Sequence, residues 1–573
     1  MTTGIGTTTA QLIDKHRPTL DRALEAIRSR EFWTPHPEHP KAYGEGAAEE
    51  GKAAFDALRG SRFELPGQPV SGEWVATEVS PYGFELGISY PRADEGAVDA
   101  LLSVMRGGLP AWRKAGPEAR AAVCLEILAR ISARTHEFAQ AVMHTSGQAF
   151  MMAFQAGGPH AQDRGMEAVA YAYAEQVRTP ERAHWEKPQG KREPLRVTKE
   201  FTPVGRGIAL LIGCNTFPTW NGYPGFFASL ATGNAVLVKP HPRAVLPLAL
   251  TVRIAREVLA EAGFDADLVA LAAEAEGDGI AKDLATRPEI RVIDYTGGTA
   301  FGEWLEANAR QARVYTEKAG VNTVVIDSTD DYQGMLANLA FSLSLYSGQM
   351  CTTPQNLLIP AGGITTESGP KSYDEVVADL ATAVGKLLGD EARANALLGA
   401  IVNDQVRARL EAAPALGEVA LPSRPVANPE FPDATVRTPA IVKLDATKPD
   451  PEAAYHNECF GPVSFAVAVG STEDALELLR NTLQSKGAMT VSAYTTSPEV
   501  ARHVEEVCFD EPAQLSLNLT GGVYVNQTAA FSDFHGSGGN PAANCALCDG
   551  DFVSGRFRVV EVRRMTEGSA SRG

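Results

Sequence analysis

The sequence has few cysteines, no long apolar run and no excess of basic charge, and each absence removes a class of protein. Seven cysteines among 573 residues, odd in number and irregular in spacing, do not form the framework of a disulfide-built secreted fold. Any cysteine that matters should matter as a thiol. No stretch reaches the ~18 apolar residues of a membrane span. The start, Met1-Thr-Thr-Gly-Ile-Gly, lacks the basic residues and apolar stretch of a signal peptide. The expectation is a soluble, cytoplasmic protein without a membrane partner. Lys plus Arg number 52 against 70 for Asp plus Glu, a net charge of −18 with no compensating basic run, so nucleic acid is not an expected partner either. Internal repeats and low-complexity tracts are also missing.

What is present is globular: 44% of residues are hydrophobic and 21% charged, spread along a chain too long for one core. Residues 1–75 form a helical N-terminal extension, with a helical stretch at Asp21 to Arg28 and a proline-rich interruption from Trp33. From about 96 to 178 amphipathic patterns predict helix, punctuated at Gly107, Pro110, Gly116 and Gly157. Beyond that, short runs apolar on both faces alternate with helical patterns. Ile208–Ile212, Ala235–Val238, Leu268–Ala272 and Val292–Tyr295 are predicted strands, and Leu246–Ala262 an amphipathic helix stopped by Gly263. This is the pattern of parallel βαβ units covered by helices on both faces, with a nucleotide site expected at the carboxyl ends of the strands. A second α/β stretch carries a predicted strand at Val324–Ile326 and helices at Tyr332–Tyr346 and Thr472–Arg480. The tail holds a strand-like Val523-Tyr-Val-Asn, a glycine-rich Gly536-Ser-Gly-Gly-Asn loop and a final strand from Arg556. The expected division is 1–75, 76–319 for a Rossmann-like cofactor domain, 320–510 for a catalytic domain and 511–573 for a return.

Three segments carry chemistry. In Ser347-Gly-Gln-Met-Cys351 a lone cysteine follows a helix and a glycine and precedes a strand, where a thiol can face a cleft as a nucleophile. A free cysteine by itself is more often a small buried hydrophobe. Upstream, Tyr315-Thr-Glu317 ends a strand with a carboxylate that could activate the thiol, or the water that cleaves a thioester, although most glutamates only solvate a surface. Gly297-Gly298-Thr299 leads a strand into a helix and aims backbone N–H groups at a phosphate without matching the G-x-G-x-x-G fingerprint.

Taken together, from about residue 80 to 570, these segments resemble the aldehyde dehydrogenase superfamily. Lys239-Pro240 matches its adenosine-ribose contact, Gly297-Gly298-Thr299-Ala-Phe-Gly302 its G-S-T-x-x-G turn, and Thr316-Glu317 its general-base segment. Gly348-Gln-Met-Cys351 matches its G-Q-x-C nucleophile, and Glu458-Cys-Phe460-Gly-Pro-Val its E-x-F-G-P-V, whose glutamate and phenylalanine hold the nicotinamide ribose. Each motif alone is modest, but five in the family's order are specific. The resemblance implies an α/β aldehyde dehydrogenase-like fold with an oligomerisation β-extension, using strands near 194–206 and from Phe557, hence a homodimer or homotetramer. It implies oxidation of a small-molecule aldehyde with NADP or NAD, through a Cys351 thiohemiacetal and thioester, and no metal. Within the superfamily, Gly213-Cys-Asn-Thr-Phe-Pro-Thr-Trp-Asn and Lys239-Pro-His-Pro-Arg243-Ala are most similar to the phenylacetate-degradation PaaN group. That similarity implies a semialdehyde from aromatic ring cleavage, carried on coenzyme A.

Two positions depart from the family. Its oxyanion asparagine directly precedes Phe-Pro, whereas here Thr216 does and Asn215 lies one residue earlier. Asn215, moved by a local bulge, is the expected donor, a contribution of about 3 kcal/mol, with Thr216 the alternative. At the ribose, the family's carboxylate is replaced by Pro242 with Arg243 next to it, which leans towards NADP. Two rivals remain: a coenzyme A-acylating dehydrogenase, for which Glu317 is the discriminating residue, and a non-catalytic scaffold of the same fold. Cys545-Ala-Leu-Cys548, His36-Pro-Glu-His39 and the group Met151, Met152 and Phe154 are assigned to structure rather than to metal or cofactor binding.

Overall fold

A computed structural model describes residues 7–448 and 450–566 of the chain. The first six residues of the expected N-terminal extension, and the last seven of the expected C-terminal return, lie outside the described residues. The extension opens with α1 (Thr7–Ser29) and continues with α2 (Ala47–Leu58). A helical layer follows: α3 (Glu95–Ser132), α4 (Thr135–Ser146) and α5 (Ala161–Val177). The sequence expects breaks at Gly107 and Pro110, but α3 runs through both and turns only at Gly116, whose φ of 80° and ψ of 166° are non-helical.

Then come β1 (Arg182–Gln189), β2 (Arg192–Gly205), β3 (Ile208–Ile212), α6 (Pro218–Ala231), β4 (Ala235–Lys239), α7 (Leu246–Glu261), β5 (Val269–Leu271), β6 (Ile290–Thr296), α8 (Thr299–Asn308) and β7 (Arg313–Glu317). Strands β3 to β7 make a five-stranded, all-parallel sheet in the order β7-β6-β3-β4-β5. Every residue of β3 and β4 is buried, as expected of central strands with helices on both faces. The order reverses between β3 and β6, so the loops after these strands diverge and open a crevice.

The second sheet has seven strands: β8 (Thr323–Ile326), β9 (Asn356–Pro360), β10 (Glu418–Leu421), β11 (Ala440–Asp445), β12 (Val463–Val469), β13 (Thr490–Tyr494) and β14 (Gln514–Leu517), in the order β10-β11-β12-β9-β8-β13-β14. Only β10 runs antiparallel. Between β8 and β9 lies the helix Tyr332–Ser344. A final strand, β15 (Phe557–Met565), pairs antiparallel with β2, which pairs with β1 in a separate ribbon. The strand-like Val523–Asn526 is not a strand: it is an irregular turn with Val523 exposed.

Packing joins the extension to the first sheet. Leu20, Ala23, Ala26 and Ile27 of α1 and Phe55 of α2 share one buried cluster with β3, β4 and α7. No helix among the described residues is long and apolar enough to cross a membrane.

Candidate active site

Cys351 sits on the turn between the helix Tyr332–Ser344 and β9. The chain reverses there through three left-handed residues, Tyr346, Ser347 and Gly348, with φ of 52°, 51° and 64°. A Cβ on Gly348 would lie 2.7 Å from the Gly461 carbonyl oxygen, so glycine is required by space as well as by backbone angle. Asn322, just before β8, clamps the turn. Its Nδ2 donates to the Cys351 carbonyl at 2.7 Å and the Thr353 carbonyl at 3.1 Å, and its Oδ1 accepts from the Met489 and Thr490 N–H groups.

Glu317 ends β7 and is buried beside this turn. Its Oε2 accepts from Asn221 Nδ2 of α6 at 2.8 Å, and its Oε1 lies 3.1 Å from His535 Nε2. His535 Nε2 also lies 3.6 Å from Cys351 Sγ. Burial pushes the Glu317 carboxyl up, but the charge of His535 and hydrogen bonds from His535, Cys351 and Asn221 more than offset it and hold the carboxyl below its ordinary value. The Cys351 thiol is pushed well up, first by burial and then by the charge and hydrogen bond of Glu317. The resting pair is therefore a thiol facing a carboxylate. The ligand-type atoms of Glu317, Cys351 and His535 all lie within 4.8 Å of one another. Cys545 and Cys548, by contrast, join no such group among the described residues.

Two cavities meet at Cys351. The one on the first sheet's side, of about 430 Å³, is lined by Asn215, Thr216, Lys239, Gly297, Gly298, Glu317, Glu458 and Phe460. Thr299 lines an adjoining hollow with Gly298 and Glu458. These groups suit a dinucleotide: a cation at the end of β4, glycine N–H groups opening α8, and a half-buried carboxyl. Burial raises that carboxyl, Glu458, to about 7, with Arg409 and the Gly320 backbone only partly opposing. Hydroxyl donors from a ribose would supply what burial removes.

Arg243 is not among the residues lining this cavity: its guanidinium pairs with Glu276 at 3.2 Å on the surface. Lys239 pairs instead with buried Glu274, which follows β5 and whose Oε2 accepts from the Ile280 N–H at 2.9 Å. The carboxylate that meets Lys239 thus comes from the loop after β5, and Arg243, the group that leans towards NADP, lies off the cavity wall. Asn215 and Thr216 both face the cavity. Asn215 spends one N–H on the Thr145 carbonyl at 3.0 Å, which leaves its second free, and its Oδ1 is buried without a partner. The Thr216 carbonyl accepts from Gln148.

The second cavity, of about 500 Å³, runs from Cys351 between Phe217, Trp220 and Met350 to a mouth at Phe32, Trp33 and Val523. The N-terminal extension therefore forms part of its wall. Met152, read from sequence as core, lines this cavity, and Met151 is exposed; only Phe154 is core. His36 is buried with Nδ1 2.6 Å from Asp163 Oδ1. Sequence reasoning passes over Asn221, Glu274 and His535. The available signals were slight: Asn221 opens a helix six residues after Asn215, and His535 directly precedes the glycine-rich loop at 536.

Comparison with known proteins places these features. The aldehyde dehydrogenase family matches residues 71–540, most of the chain. The crystal structure of an NAD-dependent aldehyde dehydrogenase from Burkholderia multivorans superposes with a TM-score of 0.94 at 55% identity, covering 97% of this chain and 99% of that one. A 1-pyrroline-5-carboxylate dehydrogenase of Halalkalibacterium halodurans is 24% identical over 92% of this chain and 93% of its own. An N-succinylglutamate 5-semialdehyde dehydrogenase of Chromobacterium violaceum is 26% identical over 68% of this chain and 75% of its own.

Proposed function

Because this chain belongs to the aldehyde dehydrogenase family, we propose that it is an NAD(P)-dependent oxidoreductase that converts an aldehyde to a carboxylate through a thiohemiacetal and a thioester on Cys351. The observation that carries the reading is the buried Glu317 carboxylate, held by Asn221 with an oxygen within 4.8 Å of the Cys351 thiol. Glu317 takes the S–H proton and the sulfur attacks the carbonyl carbon. The Cys351 N–H and the second N–H of Asn215 hold the oxyanion. A bound nicotinamide supplies the acceptor for the hydride that leaves the tetrahedral carbon. Glu317 releases that proton to solvent and, again a carboxylate, deprotonates the water that cleaves the thioester, the proton it gains then returning to the expelled Cys351 sulfur. Lys239, Gly297, Gly298 and Thr299 would hold the adenosine and phosphate end of the cofactor, and Glu458 and Phe460 the nicotinamide ribose. NAD is the preferred form, as in the name of the 55%-identical Burkholderia multivorans enzyme, and NADP the second. In this division residues 76–319 bind the cofactor, 320–510 carry the nucleophile, 1–75 wall the substrate tunnel and 511–573 return to complete it.

The tunnel favours an aldehyde with an uncharged stem. Phe217, Trp220, Met152 and Met350 surround its inner part, and the charged groups along it include Glu38, Asp163 and Asp533. A free carboxylate inside would face these acids. A semialdehyde carried on coenzyme A, as expected for phenylacetate ring cleavage, meets this condition if its phosphates stay outside the mouth. The carboxylate-bearing semialdehydes in the relatives' names do not. The acylating rival is weakened by Glu317, whose place beside Cys351 suits water activation. The scaffold rival is weakened by a thiol, a base and a cofactor-type cavity that converge.

Stopped-flow absorbance of the reduced nicotinamide tests the proposal, with a medium-chain aldehyde and NAD or NADP, with and without coenzyme A. The expected result is a burst and steady turnover without coenzyme A, with Glu317→Gln keeping the burst and losing the turnover. Turnover only with coenzyme A would make the acylating rival the better account, and no burst in any combination would favour the scaffold or a very narrow substrate choice.

A further inference from the structure

We propose that His535 is a third catalytic residue of this centre, a fixed N–H donor that serves the Glu317 carboxylate at rest and the Cys351 thiolate during reaction. The proposal rests on the reading of Cys351 as nucleophile. The proton inventory comes from geometry. Glu317 Oε2 is occupied by the Asn221 amide, and Oε1 faces His535 Nε2 at 3.1 Å. A bare nitrogen lone pair against a carboxylate oxygen at that distance would be repulsive, so Nε2 carries the hydrogen. The same N–H lies 3.6 Å from Cys351 Sγ, a reacting atom. His535 is held at its backbone and packed at its ring. Its backbone N–H donates to the Leu547 carbonyl and its carbonyl accepts from Leu547, both at 2.9 Å, and its ring packs edge-on against Trp220 at 4.6 Å.

The chemistry balances without another reactant. At rest the negative charge is on Glu317, and Nε2–H bonds to it. When the S–H bond breaks and an O–H bond forms on Glu317, the charge moves to sulfur and Nε2–H turns its hydrogen bond to the thiolate. The hydrogen stays on nitrogen throughout. The same donor meets the thiolate again when hydrolysis expels it from the acyl group. A donor shared between two anion positions lowers the cost of moving charge between them, in a site where burial otherwise raises the thiol far above its ordinary value.

The test reads the thiol rather than the aldehyde reaction, so it stands even if the activity assay fails. Alkylation of Cys351 by iodoacetamide is followed by mass spectrometry across pH in the full-length protein, with thermal unfolding as a control. His535→Leu, which removes the donor, should slow alkylation at pH 7.5 at least tenfold and move its midpoint to higher pH. His535→Gln, which restores an N–H of similar reach, should recover the rate to within about threefold. If the leucine variant does not fold, His535→Asn, too short to reach the sulfur, takes its place with the same expectation. Wild-type alkylation rate and midpoint in the donor-less variant, at an unchanged unfolding temperature, would overturn the proposal. So would equal slowing in the leucine and glutamine variants.

Discussion

If Glu458 holds the nicotinamide ribose as proposed, it should set the pH at which the cofactor binds best. Burial raises its carboxyl to about 7, so it is neutral below that pH and ionised above it. Ribose hydroxyls donate best to a carboxylate, and cofactor KM should fall as pH rises from 6 to 8, with Glu458→Gln flattening the profile. A steady-state KM series over that range checks both. Glu274 makes a second test at this scale. Its pairing with Lys239 neutralises the cation that lines the cofactor cavity, a charge a 2′-phosphate would otherwise meet. Glu274→Gln should therefore lower the ratio of kcat/KM for NAD over NADP by about tenfold, the range of one charge-assisted hydrogen bond. An unchanged ratio would return the choice to other groups. Cys351, Glu317, Lys239, Glu458 and Phe460 were all legible in the sequence because each sits in a short local pattern. Glu274 and His535 were not, since nothing local marks a residue whose partner comes from a distant strand.

At the scale of elements, long-range ties hold this centre together. The segment 528–547 brings His535 to β7 and is held by long-range ties. Arg164 of α5 donates to the Asp533 and Leu547 carbonyls, and the Phe531 N–H donates to Glu167 Oε1 at 3.0 Å. Arg30, just after α1, reaches the same Glu167 oxygen at 3.2 Å, so the N-terminal extension is tied to the C-terminal return. A little further on, Arg556 is fully buried, and its guanidinium grips Asp294 of β6 with two bonds, at 2.6 and 2.7 Å. Asp294→Asn would leave that cation uncompensated and should cost about 3–5 kcal/mol in urea unfolding. A loss below 1 kcal/mol would show that the pair is dispensable. Helix and strand limits agree with the sequence reading where periodicity is strong, as in β3 and α7. They depart where packing overrides local signals, as when α3 runs through Gly107 and Pro110.

At the scale of the whole molecule, the ribbon of β1, β2 and β15 stands apart from both main sheets. After Phe557 every residue of β15 is exposed: Val559 and Met565 share one face of the ribbon with Trp185 and Leu195, and Val560 and Val562 make the opposite face apolar as well. Open strand edges with apolar side chains are rarely left bare. Light scattering should find a dimer or tetramer, and Val560→Lys with Val562→Lys should shift it towards monomer; a monomeric parent protein would refute this. The sequence by itself determined the parallel α/β architecture and the family, and marked the proposed nucleophile and base, because buried strands and catalytic turns depend on side chains a few residues apart. Only the tertiary structure decided which carboxylate meets Lys239, that an N-terminal extension walls the substrate tunnel, and that a histidine joins the thiol and its base. Those contacts link residues up to hundreds of positions apart, and close packing, not local pattern, brings them together.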